Sequence, residues 1–151
     1  MSHRARLAGA ILVLLGACSA EESPPLGVSE VTAYAALPGQ PAGVAYFSLQ
    51  NSTPGAVTLR QVNSPEYSSV EMHMTLMDDG VARMTPLDLL TVAGQSAVIF
   101  APGGPHLMLM EPIEGLATGD EVTLVFHYDY DGDLDGEGPG LLTVRTPLLS
   151  R

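Results

Sequence analysis

Turn-forming residues interrupt this chain at short intervals from Val28 onward, and no window shows the periodicity of an amphipathic helix. Between the turns lie β-rich runs of about five to nine residues, the pattern of a sandwich or barrel with short connections. Breaks such as Pro38-Gly39 and Asp79-Gly80 supply the preset or positive φ that tight turns need. The candidate strands are Val28 to Ala36, Gly43 to Asn51, Ala56 to Asn63, Ser69 to Leu76, Val81 to Thr85, Leu89 to Val92, Ala97 to Phe100, His106 to Met110, Glu121 to Tyr130 and Leu141 to Thr146. The pattern predicts an all-β sandwich domain over residues 28–151.

The composition supports one folded domain and narrows the choice of partners. The chain has 151 residues, room for one hydrophobic core, and 46% of them are hydrophobic. Its 6 basic residues, all arginines, stand against 17 acidic ones, for a formal net charge of -11. Nucleic acid is excluded as a partner, because phosphate binding needs clustered cations.

The first seventeen residues have the form of a bacterial export signal. Arg4 and Arg6 precede an apolar run, Leu7 to Leu15, that is too short to span a bilayer. The run ends in Leu15-Gly16-Ala17-Cys18, which resembles the lipoprotein box and predicts a signal peptide over residues 1–17 and a lipidated Cys18. An ordinary secretory signal, in which Cys18 is incidental, is the alternative.

The residues around Cys18 also predict where the protein resides. Ser19, not Asp, follows Cys18, which in a Gram-negative host favours an outer-membrane lipoprotein that faces the periplasm. Residues 18–27 are interpreted as the anchored cysteine and a short tether. Because Cys18 is the only cysteine, the mature domain has no disulfide and no thiolate metal site.

Methionine is concentrated in one part of the chain. Apart from Met1, all six methionines fall between Met72 and Met110, and this window also contains His73 and His106. One interpretation is that methionine fills irregular gaps in a sandwich core. Met72 and Met74 flank His73 and share the strand face opposite to it, so we expect some of the six to be packing residues.

The spacing of four of these residues indicates a shared site. His106 and Met108 are two residues apart and project from one face of a strand. His73 and Met84 flank a turn: a four-residue loop, Met77 to Gly80, places His73 directly opposite Met84, whereas a two-residue Asp79-Gly80 loop shifts that register. If the two hairpin ends converge, two imidazoles and two thioethers face one point. Thioether sulfur suits Cu(I), and imidazole serves both copper states, so copper is the first choice of metal.

The same residues resemble a known family, the periplasmic copper chaperones called PCu(A)C. The family signature stands here as His73-Met74, Met84 and His106-Leu107-Met108, with all spacings matched. The sequence that flanks the signature is also similar to that of the family, in the segments Gly80-Val81-Ala82-Arg83-Met84 and Ala101 to Met110. The similarity runs from about Val31 to Thr146 and includes the segment from Ala45 to Asn51, which resembles an early strand of the family.

The resemblance implies a cupredoxin-like Greek-key β-sandwich that holds Cu(I) through His73, Met84, His106 and Met108. It implies a chaperone and not an enzyme, which delivers copper toward the CuA centre of cytochrome c oxidase subunit II, alongside a Sco-type thiol protein, or buffers it in the periplasm. Two features depart from the family: the sequence ends at Thr146 to Arg151 without a His/Met-rich tail, and a lipid anchor is not its usual form.

Other functions have weaker support in the sequence. A blue-copper electron carrier needs a cysteine ligand, and no hydrolase elbow or zinc-protease helix motif is present. Asp131-Gly132-Asp133-Leu134-Asp135-Gly136 spells the first half of a calcium loop, but Leu142 stands where the bidentate Glu belongs. The alternative function is therefore a non-catalytic extracytoplasmic binding module, with calcium at the Asp131 to Asp135 loop. A solvated acidic hairpin is the simpler interpretation of that loop.

Overall fold

The computed structural model describes residues 24–131 and 138–151 and contains ten β-strands. They are β1 (Leu26–Tyr34), β2 (Ala42–Asn51), β3 (Ala56–Asn63), β4 (Tyr67–Asp78), β5 (Val81–Pro86), β6 (Leu90–Val92), β7 (Ser96–Phe100), β8 (Pro105–Pro112), β9 (Glu121–Asp131) and β10 (Gly138–Leu149). Each strand coincides with one of the ten predicted runs, so the all-β prediction is confirmed. In the described ranges no helix is long and apolar enough to cross a membrane.

Two parts of the sequence interpretation fall outside these residues. The export signal, Cys18 and the first part of the tether precede residue 24, and most of the proposed calcium loop lies in residues 132–137. The signal, the lipid anchor and the calcium alternative therefore stay predictions from the sequence.

The strands form two sheets that share one edge-to-edge junction. The first sheet has the order β5-β4-β8-β2-β1, and β7 continues the pairing along β2 beyond β8. The second sheet has the order β10-β9-β3-β6, and a short parallel pairing of Ala33 with Leu148 in β1 and β10 joins the two. Strand β5 is the free edge of the first sheet.

The core lies between the sheets and is built from the inward-facing residues of each strand. On β2 the residues Ala45, Phe47 and Leu49 are buried. Phe47 stacks on Phe100 with ring centroids 4.1 Å apart and meets Phe126 of the second sheet edge-on at 5.2 Å. Because side chains alternate along a strand, burial of Leu107 and Leu109 on β8 turns their neighbours toward the outer face of the first sheet.

Asn51 ends β2 and fixes that end of the sandwich. Its side chain is 1% exposed. Nδ2 lies 2.7 Å from the carbonyl of Gly55 and 3.1 Å from those of Val92 and Ala93, while Oδ1 accepts from the backbone and hydroxyl of Thr53. One buried amide thus satisfies backbone groups of two neighbouring segments, the turn after β2 and the end of β6, which explains why an Asn ends this strand.

The β4–β5 hairpin turns through two residues. Asp79 and Gly80 have φ values of 47° and 79°, the positive values that a tight hairpin turn of this length requires. Thr75 therefore pairs with Met84, and His73 pairs with Pro86. The four-residue loop that would have placed His73 opposite Met84 is wrong. Because the shift is two residues, Met84 stays on the face of His73 and occupies a diagonal position.

Candidate metal site

The four residues singled out from the sequence lie on three adjacent strands of the first sheet. His73 on β4 is directly opposite His106 on β8, and Met108 is opposite Glu71. Met84 on β5 is opposite Thr75, two residues from His73. Residues directly opposite one another or two apart on a strand share a face, so all four side chains project from the outer face of the first sheet.

The other methionines divide between the two faces. Met72 is 6% exposed and belongs to the core, and Met74, two residues away, shares its face and points away from His73. Met110 shares the outer face with Met108 but lies opposite Ser69 and Ala42, farther from His73 along β8. Packing therefore accounts for Met72 but not for the methionines on the outer face.

The backbone fixes the ring of His106. His106 is the second residue of β8 and its side chain is buried, although it follows the exposed turn that contains Gly103. Nδ1 lies 3.0 Å from the carbonyl oxygen of Gly104, which also accepts from the backbone N–H of Thr75. Because a carbonyl can only accept, Nδ1 carries the proton and Nε2 retains its lone pair for another partner.

His73 is oriented in the opposite sense, by a carboxylate. Nε2 lies 2.9 Å from Oε2 of Glu71, which shares its strand face. Glu71 is therefore the acceptor, and the lone pair of His73 is on Nδ1. This Nδ1 is buried and has no hydrogen-bond partner among the residues that the structure describes, an unusual state for a polar atom. The two histidine rings are 6.0 Å apart between centroids, with 47° between their planes.

Glu71 was missed in the sequence interpretation. A single glutamate on a strand of an acidic protein resembles any solvated surface residue. Its position two residues before His73 on a predicted strand was the one available signal, because that spacing puts both side chains on one face.

A cleft opens to solvent beside three of the four side chains, and His73 is not among its lining residues. It has a volume of about 300 Å³ and is lined by Met84, His106 and Met108, together with Thr75 and Tyr46. Met84 is 59% exposed and forms its accessible edge. Arg151 also lines the cleft, and its guanidinium donates to the hydroxyl of Tyr46 at 3.1 Å and lies 5.9 Å from the ring centre of Tyr34.

The donor atoms gathered here suit a soft metal ion. In the described ranges, no three side chains drawn from His, Cys, Asp and Glu are grouped to hold a metal. The side chains that share this face include two thioethers and two imidazoles, a donor set that favours Cu(I). The orphaned Nδ1 of His73 fits such a ligand role, because metal binding would supply the partner that the protein does not.

The fold and this outward-facing site define the class: the chain has the cupredoxin-like β-sandwich of PCuAC domains. The copper-bound PCuAC domain from PmoF2 matches with a TM-score of 0.63 at 19% identity, over 85% of this chain and 95% of that one. The Cu(I) form of DR1885 from Deinococcus radiodurans matches with a TM-score of 0.58 at 23% identity, over 89% of this chain and 83% of that one. At such identities the likeness concerns the fold.

Sequence comparison identifies the family. A model described as "Putative lipoprotein LpqE-like" matches residues 26–138, and the chain belongs to this LpqE-like family. The uncharacterized protein RP573 of Rickettsia prowazekii (strain Madrid E) is 34% identical over 85 residues, 56% of this chain. The match spans 47% of that protein, about half its length. A lipoprotein family agrees with the export signal and lipoprotein box.

Proposed function

We propose that this protein is an exported, lipid-anchored copper chaperone that binds one Cu(I) through His73, Met84, His106 and Met108. The observation that carries the proposal is the buried, unpartnered Nδ1 of His73, directly across from a histidine whose own free lone pair is on Nε2. Two relatives in fold are described as copper-bound and Cu(I)-bound, which supports the choice of metal.

The ligand set suits transport of copper more than catalysis with it. Neutral thioethers need no deprotonation and form no disulfides, so the site stays available in an oxidising compartment. Met84 stands on an exposed edge strand and can leave the ion without disturbing the core. A docked partner can then replace the ligands one at a time, with copper remaining Cu(I) throughout.

The recipient follows from the family resemblance. We propose the CuA centre of cytochrome c oxidase subunit II, reached alone or with a Sco-type thiol protein, with periplasmic buffering of copper as a second use. Incubation of the Cu(I)-loaded protein with an apo CuA domain checks this, and copper that stays on the chaperone contradicts it.

A competition titration against a Cu(I)-specific chelator tests the binding itself. The wild-type protein should take one Cu(I) per chain, and replacement of both Met84 and Met108 by leucine should abolish that binding while the protein remains folded. Met72→Leu is the matched control, because it removes a core thioether and should leave the affinity unchanged. If the double variant binds copper as the wild type does, the proposed site is wrong.

The same variants separate this function from a copper-independent binding module. In that alternative the methionines only pack, so the double replacement alters stability and the protein shows no copper dependence. The anchor has its own test: Cys18→Ser should leave the protein unlipidated and change its membrane fractionation. Recovery of wild-type mature protein as unmodified soluble material contradicts the anchor.

A further inference from the structure

Met77 lies on the metal-site face but outside the proposed ligand set. It is four residues after His73 on β4, so it projects from the outer face, near the tip of the β4–β5 hairpin. Its side chain is 68% exposed, more than that of Met84. Packing does not explain a long apolar side chain in this position.

The hairpin register brings Met77 within reach of Met84. Met77 pairs with Ala82, and Met84 is two residues farther along β5 on the same face. Such diagonal neighbours are about 7–8 Å apart at the backbone, within reach of long side chains. Ala82 has only a methyl group, and methionine has three flexible bonds, so the two sulfur atoms can converge above it.

Met84 also lines the cleft with His106 and Met108. It is therefore common to the hairpin tip and to the proposed copper site. The hairpin tip carries the carboxylates of Asp78 and Asp79, and Asp78 is paired with Arg83 at 3.4 Å. Two carboxylates against one guanidinium leave the tip negative, and the whole protein is acidic, so a cation is attracted to this end of the molecule.

We propose that Met77 and Met84 form a second, weaker site for soft monovalent ions, which captures Cu(I) before it moves to the histidines. This inference rests on the proposed function and extends it. The ion enters on the two thioethers, and Met77 is then exchanged for the ligands of the cleft while Met84 stays bound. Only ligand bonds are exchanged, so the step transfers no electron and no proton.

The first test measures the rate at which the apoprotein takes Cu(I) from a chelator complex by stopped flow. Met77→Leu should slow uptake several-fold, while the equilibrium affinity for Cu(I) stays unchanged within the error of the titration. The matched control is the double variant Met77→Leu with Leu76→Met. It keeps the number of thioethers and places one at a similarly exposed position, 52% in the wild type, on the opposite face.

This control should remain slow. Wild-type rates in Met77→Leu, or a full recovery of rate in the double variant, would overturn the inference. An equal loss of affinity and rate would also overturn it, because Met77 would then be a ligand of the main site.

A second test separates this inference from the proposed function. In a His73→Gln, His106→Gln variant, Ag(I) is titrated and the methyl signals of methionine are followed by NMR. We expect the signals of Met77 and Met84 to shift together, with Met72 unchanged. Absence of these shifts, with chelator-competitive binding intact in the wild type, overturns the capture site alone. Their presence without any chelator-competitive binding overturns the proposed chaperone site and leaves the tip site standing.

Discussion

Oε2 of Glu71 and Nε2 of His73 lie 2.9 Å apart on the outer face of β4. A carboxylate in this position holds the histidine in the tautomer that leaves the lone pair on Nδ1, the atom proposed as the metal ligand. Partners of this kind orient metal-binding histidines and raise their basicity.

We therefore expect Glu71→Leu to weaken Cu(I) binding about 10- to 100-fold. Glu71→Gln should have a smaller effect, because its amide oxygen can still accept the Nε2 proton. Chelator competition measures the affinities, and long-range proton–nitrogen NMR of the apoprotein reports the tautomer of His73. Glu114→Gln, which changes an exposed carboxylate in the turn after β8, is the control. Unchanged affinity and tautomer in Glu71→Leu would contradict this role.

The two-residue turn controls the position of Met84. Gly80 has a φ of 79°, and a side chain in the left-handed region costs about 1–2 kcal/mol. We expect Gly80→Ala to increase hydrogen exchange of the β5 amides and to weaken Cu(I) binding. Asp79→Asn should leave both unchanged, since Asn-Gly suits the same turn. If the β5 amides of Gly80→Ala exchange as slowly as those of the wild type, the turn does not control the stability of the hairpin.

Core and site methionines should respond oppositely to substitution. Met72 is 6% exposed, and Met72→Ala should lower the free energy of unfolding by about 2–5 kcal/mol. Met84 is exposed, and Met84→Leu should change it by no more than about 0.5 kcal/mol. Urea denaturation measures both, and copper titration of the folded proteins should show a defect in Met84→Leu alone. A large loss of stability in Met84→Leu would favour a packing role.

Asn51 should matter for stability and not for copper. Asn51→Leu leaves buried carbonyl groups without their donor, at about 1–3 kcal/mol for each group left unsatisfied. Strand β2 pairs with β8, the strand of His106 and Met108, as far as Ala45. At the rise of an extended strand, Ala45 lies roughly 20 Å along β2 from Asn51. Thermal unfolding and copper titration of the folded protein check the two halves of this prediction. The control is Gln50→Leu, which makes the same replacement at the exposed residue next to Asn51.

The strands and turns were predictable because both depend on residues that are close in sequence: the turn-forming residues themselves, and the β-rich runs between them. Pro38-Gly39, Asp79-Gly80 and Thr118-Gly119-Asp120 separate runs that are strands in the structure. The turn between β4 and β5 was ambiguous, since Asp78, Asp79 and Gly80 are all turn formers and two loop lengths fit them. The structure has the two-residue turn, in which Asp79 and Gly80 both have positive φ.

The juxtaposition of His73 and His106 could not be obtained in this way. They belong to β4 and β8, whose pairing depends on contacts between distant parts of the chain and on no single turn. The burial of His106 could not be predicted from the sequence, for a similar reason. Leu37 and Gln40, from the connection between β1 and β2, line the same cleft, and nothing near His106 in the sequence indicates their presence.

Strand β5 is an edge strand whose six residues are all exposed, and among the ten described strands it pairs with β4 alone. Under the proposed function, the ion is thus held by two well-anchored strands and one that can separate at little cost, because local opening takes far less free energy than global unfolding. When β5 separates, the coordination number falls by one while both imidazoles remain. The residence time of copper should then follow the stability of this one strand, so that changes in β5 alter the speed of delivery in a protein whose melting temperature hardly moves.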